Sequence, residues 1–234
     1  MTRLVKIYWI PCRGRALLYD SDVILAGTIL VEYLLGPWRA MRVNYKARMF
    51  NRKASSPKSR PDEVMEALGL RPGQTVADIG AGGGYFSFRF AKAVGEEGRV
   101  GAFEVDRKLV EFIEEERKLR GLTNLKPVLI REGIPEIKEG SVDLVFVRNV
   151  YHHLAQRVEY FKGLRGALKP GGKLAIIEYS GSKGLSFHDL FGHYVRRETI
   201  IEEMGSAGYR VLAELDILSE QSFTIFGVTG HHSA

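Results

Sequence analysis

The sequence of 234 residues contains a single cysteine, Cys12. One cysteine excludes an internal disulfide framework and a cysteine-rich metal site, and it is typical of a protein from a reducing compartment. Internal repeats and low-complexity tracts are also lacking. The apolar and charged fractions, 45% and 26%, are those of a globular chain whose length suits one α/β domain with an appendage. We therefore expect a cytoplasmic globular protein.

A long uninterrupted apolar run is lacking as well. Residues 17–38 come closest, but Asp20, Asp22 and Glu32 divide them, whereas a membrane-spanning helix needs about 20 apolar residues with few charges. A basic block without acids follows from residue 39 to residue 60. Two interpretations stay open. The apolar helix packs on the body or on a second subunit, or residues 17–60 contact the inner face of an anionic membrane.

Positive charge is concentrated in the N-terminal quarter. Residues 1–60 hold 12 Lys/Arg against 3 Asp/Glu, a net charge of +9 in a chain whose total is +6, so the remainder carries about −3. This near-neutral body gives no reason to expect a nucleic-acid partner. Residues 55–60 are typical of a linker. The sequence therefore predicts an N-terminal apolar and basic segment, residues 1–59, followed by a catalytic domain, residues 60–234.

Strand and helix patterns alternate from Thr75 onward. After a first strand at Thr75, strands are predicted at Arg99–Val105, Lys126–Ile130, Ser141–Val147, Lys173–Tyr179, Val211–Leu218 and Phe223–Val228. A tight turn is predicted at residues 169–172, Lys-Pro-Gly-Gly. Alternating strands and helices indicate a doubly wound α/β fold whose sheet is mainly parallel, with its ligand at the carboxyl ends of the strands.

The stretch TVADIGAGGGYFSFRF, residues 75–90, runs from a buried strand through glycines into a helix. Such a junction predicts free backbone N–H groups at a helix N-terminus, where a nucleotide-like ligand can approach the main chain. A phosphate-binding P-loop would need Gly-Lys-Ser/Thr, but Tyr85 and Phe86 follow Gly84. The dinucleotide pattern G-x-G-x-x-G/A also fails, because its last position is Tyr85 or Ser87.

The pattern VADIGAGGG, Val76–Gly84, resembles the first motif of the class I S-adenosylmethionine-dependent methyltransferases. The resemblance runs from about Arg60 to Val228 and includes several motifs in the family's order. It implies a Rossmann-like, seven-stranded sheet, here with an N-terminal helical extension. The implied cofactor is S-adenosyl-L-methionine.

Cofactor contacts are carried over from the motifs of this family. Asp78 matches the acid tied to the methionine ammonium, and Glu104 matches the acid that accepts both ribose hydroxyls, which suits a carboxylate with two oxygens. Glu132 is the candidate for the adenine amino group. The full set of predicted cofactor residues is Asp78, Gly80, Ala81, Gly82, Gly84, Glu104, Val105, Glu132, Arg148 and Asn149.

The segment VRNVYHHL, residues 147–154, resembles the family's fourth motif, which faces the methyl group and the acceptor. Tyr151, His152 and His153 are therefore the predicted catalytic residues, histidine being the side chain best suited to proton removal near neutral pH. Only one of two adjacent histidines is expected to face the site. Glu178 and Tyr179, at the end of the fifth strand, are predicted to line the acceptor pocket, and no metal site is expected.

These features predict an enzyme that transfers a methyl group from S-adenosylmethionine to a small-molecule or lipid-like acceptor by in-line displacement. A catalytically inactive cofactor-binding or scaffold protein, anchored through its N-terminal segment, is the alternative. An oligomer is compatible with either, and the sequence does not identify the acceptor.

Overall fold

The computed structural model describes residues 45–131, 133–179 and 194–230. A compact unit begins at Lys46. Residues 46–59, which the sequence assigns to the N-terminal segment, therefore lie in the same unit as the body. Residues 17–38 lie outside the described part of the chain, so the apolar helix predicted there stays a prediction. No helix among the described residues is long and apolar enough to cross a membrane.

Strands and helices alternate along most of this unit. The strands are β1 (Thr75–Ile79), β2 (Arg99–Glu104), β3 (Leu125–Leu129), β4 (Val142–Arg148), β5 (Leu168–Tyr179), β6 (Tyr209–Leu215) and β7 (Gln221–Val228). The described helices are α1 (seen over residues 45–54), α2 (Pro61–Leu68), α3 (Tyr85–Val94), α4 (Arg107–Leu119), α5 (Arg157–Leu164) and α6 (Arg197–Ser206). Most bounds lie within a few residues of those predicted from the sequence.

The seven strands form one sheet in the order β3-β2-β1-β4-β5-β7-β6. Neighbours are parallel from β3 to β5, whereas β7 is antiparallel to both β5 and β6. The doubly wound, mainly parallel fold is thereby confirmed. Because the strand order reverses between β1 and β4, a crevice opens outside the carboxyl ends of these two strands, where such sheets bind their ligands.

Side chains alternate between the two faces of β4 from Leu144 to Val147. In β4, Phe146 packs in the cluster that includes Phe86 and Phe90 of α3, while Val145 and Val147 pack on the opposite face with Phe161 of α5. Continuous apolar runs in β1 and β4 are what a parallel strand covered on both faces requires. Asp78 shares the α3 face of β1 with Val76, which fixes where its carboxylate lies.

The predicted turn at residues 169–172 lies within a strand. Leu168 already pairs with Val142, and β5 continues through these residues with an irregular register against β4. Gly171 takes a left-handed φ of +77°. The four residues 169–172 therefore stand opposite the single residue Asp143, so the turn is accommodated as an irregularity that does not end the pairing.

Candidate active site

A cavity of about 770 Å³ opens at the carboxyl ends of β1, β2, β4 and β5. Eleven of the predicted site residues line it: Asp78, Gly80, Ala81, Gly82, Glu104, Val105, Arg148, Asn149, His152, His153 and Tyr179. Gly84, Tyr151 and Glu178 are absent from its walls. Glu132 and the histidines at 188, 193, 231 and 232 lie outside the described residues.

The glycine loop between β1 and α3 is shaped by left-handed backbone at Gly80, Gly82 and Gly84, where φ is +71°, +58° and +80°. A Cβ on Gly80 would lie 2.2 Å from Cγ2 of Val150, so the loop also needs glycine for the close approach of the segment after β4. These three glycines match the G-x-G-x-G spacing. The loop is therefore a consequence of local sequence and of contact with β4's carboxyl end.

The sequence predicts free backbone N–H groups in this loop, whereas the structure shows them hydrogen-bonded within the protein. The N–H groups of Gly80 and Ala81 both donate to the carbonyl of Phe103, at 2.8 and 3.1 Å. The N–H of Gly82 donates to Glu104, and that of Gly84 donates to the carbonyl of Ala81. Four loop amides are thus already bonded within the protein. This arrangement fits a cofactor that has no phosphate groups to be held by free N–H donors.

Glu104, at the end of β2, is 7% exposed. Its Oε1 accepts the N–H groups of Val105 and Asp106, and its Oε2 accepts that of Gly82 at 2.8 Å. A carboxylate offers about four lone-pair positions, so about one stays available toward the cavity. The carboxylate can therefore accept a ribose hydroxyl while it fastens the glycine loop, and acceptance of both hydroxyls requires one backbone bond to yield.

Asp78 is buried, and its Oδ2 accepts the hydroxyl of Ser87 on α3 at 2.5 Å. Burial raises the pKa of Asp78 to about 7, against the opposing effect of the Ser87 hydrogen bond, and the nearby Glu104 raises it further. A buried carboxylate that lines a cavity and takes its hydrogen bonds from a neutral residue, Ser87, is suited to a cationic ligand. The methionine ammonium of S-adenosylmethionine would supply that charge.

Arg148, the last residue of β4, brings a positive charge to the opposite wall. Its guanidinium donates to Oγ of Ser59 at 2.9 Å and lies over the ring of Phe86, 5.5 Å from the centroid. Desolvation lowers the pKa of Arg148, with Tyr179 and Asp78 opposing that effect. Among the described residues, its Nε is the one buried side-chain nitrogen or oxygen without a hydrogen-bond partner. A buried donor of this kind needs an acceptor that the described protein atoms do not provide, such as an ordered water.

Asn149 follows Arg148 in left-handed backbone, with φ of +55°. Its N–H donates to the carbonyl of Ile177, and its Oδ1 accepts from Nε2 of Gln221 at 2.5 Å. Gln221 also lies 3.4 Å from Arg148. Gln221 of β7 therefore holds both Arg148 and Asn149 in place, and Ser59 also holds Arg148.

The three predicted catalytic residues form one turn of 3₁₀-helix, Tyr151–His153, but they do not all face the cavity. Nδ1 of His152 lies 2.9 Å from Oε1 of Glu178, a side chain with 0% exposure. The Glu178 carboxylate also accepts the N–H groups of Tyr179 and His152. The prediction that only one histidine faces the site is wrong, since both line the cavity with ring centroids 3.9 Å apart.

The structure does not bring Tyr151 into the cavity. Its ring stacks on Phe161, its hydroxyl donates to Glu203 at 2.5 Å, and Arg157 lies over its face. Burial and the Glu203 hydrogen bond raise the pKa of Tyr151. Tyr151 therefore anchors the turn in the core, and in doing so it aims the following histidine toward Glu178.

Several residues of the site were not predicted. Ser87, Ser59, Gln221, Phe50 and Asn51 all contact predicted residues or the glycine loop. Only Ser87 carried a local signal, since it lies on the first turn of the helix after the glycines. The others come from segments far away in the sequence.

Replacing Glu104 by alanine is expected to raise the Kd for S-adenosylmethionine about tenfold or more. The change removes a charged acceptor and also releases Gly82, and a hydrogen bond to a charged group contributes roughly 1.5–3 kcal/mol. Calorimetric titration measures the Kd. Glu114→Ala is the matched control, because Glu114 is an α4 carboxylate paired with Arg117 and Lys118 outside the cavity walls. Wild-type affinity in Glu104→Ala would disprove the assignment.

The residues present fit S-adenosylmethionine. Asp78 offers a buried anion for the ammonium, Glu104 an acceptor for the ribose, and the glycine loop a surface without side chains. Apolar groups such as Phe103, Val105 and Leu109 provide walls for a flat ring. No phosphate-binding donors are required by this cofactor, in agreement with the bonded loop amides.

The chain is similar in sequence to known proteins. At 26% identity over 158 residues, the chain resembles the ubiquinone/menaquinone biosynthesis C-methyltransferase UbiE of Haemophilus ducreyi, covering 64% of this chain and 60% of that protein. The UbiE protein of Shewanella sediminis is 24% identical, with 64% and 62% covered. The chain thus spans about 60% of the length of these curated relatives.

A solved structure, that of an S-adenosylmethionine-dependent methyltransferase from Aquifex aeolicus, shares the fold with a TM-score of 0.68 at 23% identity. The likeness covers 77% of this chain and 98% of that one. The family model described as "Methyltransferase domain" matches residues 70–210, which is more than half of the chain. The family and the cofactor predicted from the sequence are thereby confirmed. The chain belongs to the methyltransferase-domain family, the S-adenosylmethionine-dependent methyltransferases.

Proposed function

We propose that the protein transfers a methyl group from S-adenosylmethionine to a small, largely apolar acceptor that must lose a proton in the reaction. The observation that carries this proposal is the pair formed by His152, which lines the cavity, and the fully buried Glu178 behind it. When bound, the cofactor supplies an electrophilic methyl carbon with a good leaving group. The chain's residues then have to orient the acceptor, remove its proton and exclude water.

His152 is proposed to be the general base. A carboxylate only accepts hydrogen bonds, so Nδ1 of His152 donates to Glu178 and Nε2 is the basic nitrogen. Glu178 is held in turn by the N–H groups of His152 and Tyr179, so it fixes the orientation of the ring. It also stabilises the imidazolium that forms when the proton arrives, as the aspartate does in a serine-protease triad.

Arg148 is proposed to receive the acceptor's negative charge. Deprotonation of a hydroxyl leaves an oxygen anion, and a preorganised guanidinium in a water-poor cavity stabilises such an anion strongly. Arg148 lines the cavity, so its guanidinium is proposed to donate to that oxygen. In a phenol-like ring the electron pair of the oxygen anion reaches a ring carbon, which then accepts the methyl group. That carbon loses its hydrogen as a proton, which restores the aromatic ring, and the oxygen anion of the product takes up a proton.

The relatives support an aromatic, oxygen-bearing acceptor. Two of them are named as C-methyltransferases of ubiquinone and menaquinone biosynthesis. The cavity agrees with an acceptor of that kind, since its walls carry Leu154, Tyr160 and Ile130 as well as the polar pair. We propose a hydroquinone-like or phenolic acceptor on this basis, with carbon as the methylated atom.

An apolar acceptor would also give the N-terminal segment a purpose. Membrane contact through residues 17–60 stays a prediction. Three described members of its basic block, Lys46, Lys58 and Arg60, form ion pairs with Asp106, Glu220 and Glu63. Because all three have exposed side chains, such pairs are weak and can be exchanged for anionic headgroups.

The proposal is tested with S-adenosylmethionine labelled in its methyl group. We expect label to enter a short-chain hydroquinone with free hydroxyls and to stay bound to ring carbon in the isolated product. The same hydroquinone with both hydroxyls methylated should take up no label, because His152 has no proton to remove. Equal labelling of the two compounds would contradict the proposal. Cofactor binding without transfer to the hydroquinone would support a non-catalytic binding protein instead.

A further inference from the structure

Helix α1 closes one side of the cofactor cavity, and it lies outside the matched methyltransferase domain, residues 70–210. Ala47, Asn51 and Ala54 share one face of this helix at the spacing i, i+4, i+7. The two alanines are 0% and 7% exposed, so this face is the one that docks on the body. An asparagine between two buried alanines is an unfavourable residue for a helix interior unless its amide has partners.

The partners of Asn51 are both on the glycine loop. Its Nδ2 donates to the carbonyl of Gly83 at 2.8 Å, and its Oδ1 accepts the N–H of Tyr85 at 3.1 Å. Tyr85 is the first residue of α3, whose N-cap, Gly84, has no side chain to cap the helix. Asn51 therefore caps α3 from a different helix and ties the loop at two consecutive points.

Gly83 provides an independent observation. Unlike its three neighbours in the loop, Gly83 does not have a positive φ, and the G-x-G-x-G spacing does not include it. A Cβ at this position would lie 2.4 Å from the carbonyl oxygen of Ala47 and 2.4 Å from Oδ1 of Asn51. The fourth glycine is thus explained by the close docking of α1 rather than by backbone conformation.

We infer that Asn51 is a positioning residue, which holds the glycine loop in its cofactor-binding form through the contact between α1 and Gly83. The inference rests on the proposed S-adenosylmethionine-dependent function. Phe50, the neighbour of Asn51, lies 3.4 Å from the position of a Cβ on Gly82 and lines the cavity, so the same helix also supplies part of the wall. Displacing α1 would release the loop and open that wall together.

The experiment compares Asn51→Ala with Asn124→Ala. Asn124 is a matched control because its Nδ2 makes two main-chain bonds at the other end of α3, to the carbonyls of Ala91 and Gly95. S-adenosylhomocysteine is titrated calorimetrically against each full-length protein, without any acceptor. Asn51→Ala should raise the Kd about tenfold, whereas Asn124→Ala should change it less than about threefold, although both lower the melting temperature.

Gly83→Ala is a second variant that should reproduce the effect by forcing α1 away. The double variant Asn51→Ala/Gly83→Ala should lose less affinity than the two single losses combined, because both changes break one contact. Hydrogen exchange of the Tyr85 amide gives a readout that needs no cofactor. It should become faster in Asn51→Ala and stay unchanged in Asn124→Ala.

An equal Kd and equal exchange in the two asparagine variants would overturn the inference, even with methyl transfer intact. A wild-type protein that binds S-adenosylhomocysteine but methylates no hydroquinone would instead count against the proposed methyl transfer and not against the role of Asn51. If the wild type binds no S-adenosylhomocysteine, the proposed function fails, and the exchange measurement still decides whether Asn51 fastens the loop.

Discussion

Replacing His152 by alanine is expected to lower kcat by about 10²–10⁴-fold, the range that general-base catalysis contributes. The cofactor's affinity should change little, because the predicted cofactor contacts come from the glycine loop and β2. A steady-state assay with the hydroquinone acceptor gives kcat, and calorimetry gives the Kd for S-adenosylmethionine. Added imidazole should restore part of the lost activity in His152→Ala, since a free base can occupy the vacated space.

Two further variants separate the base from its surroundings. Glu178→Gln should lower kcat by a smaller factor, because the ring stays in place but its imidazolium loses the buried anion beside it. Tyr151→Phe should lower the melting temperature and keep most of the turnover, since the Tyr151 hydroxyl bonds to Glu203 in the core. Unchanged kcat in His152→Ala, or equal losses in His152→Ala and Tyr151→Phe, would disprove the assignment.

Replacing Asp78 by asparagine is expected to abolish most cofactor binding and, at the same time, to stabilise the cofactor-free protein. The pKa of Asp78 is raised to about 7 by burial, far above the ordinary value of 3.8. Between these two pH values the folded state holds a proton that the unfolded state has lost. The free energy of unfolding therefore falls as pH rises through this window, by about 1.4 kcal/mol per pH unit where the difference is one whole proton.

Asparagine has no proton to lose, so Asp78→Asn should be more stable than the wild type at pH 8, by about 1–3 kcal/mol, and nearly equal to it at pH 4. Chemical denaturation at a series of pH values measures the difference. A gain that is the same at pH 4 and pH 8 would show that ionisation of Asp78 is not its source.

Cofactor affinity should show the complementary pH dependence. Only the ionised carboxylate can pair with the ammonium, so the wild-type Kd should rise as pH falls below about 7, approaching tenfold per pH unit. Asp78→Asn should bind weakly at every pH. Ser87→Ala is a useful companion, because it removes the one hydroxyl that favours the charged form of Asp78 and should move the wild-type transition to higher pH. The same pH slope in Asp78→Asn as in the wild type would refute this account.

The features that could be predicted from the sequence are those determined by short segments of it. The strand before the glycines, the left-handed glycines and the acid at the end of β2 lie within 30 residues, and backbone geometry ties each to its position. Asp78 and Glu104 could therefore be predicted from the resemblance of these stretches to the family's motifs. The buried apolar segments of β4 and β5 could also be predicted, because a strand covered on both faces has to be apolar throughout.

Other features depend on contacts between remote segments. Asn51 reaches Gly83 over 32 residues, Arg148 reaches Ser59 over 89, and Gln221 reaches Asn149 over 72. No local pattern marks such partners, because a polar residue in a basic stretch looks solvated until the chain has folded. Tyr151 shows the same limit at short range. The motif around Tyr151 predicted that its side chain would face the cavity. Whether the side chain faces Glu203 or the cavity is decided by how α5 and α6 pack.

The bonded glycine loop has a consequence for selectivity among adenine compounds. ATP and NAD share an adenosine half with S-adenosylmethionine and would compete for the same ribose and ring contacts. Their phosphates, however, would meet four loop N–H groups already given to protein oxygens and two acidic side chains, Asp78 and Glu104, beside them. The protein would then discriminate against ATP and NAD because the loop offers their phosphates no free N–H donors. It would need no additional group to repel each of these nucleotides.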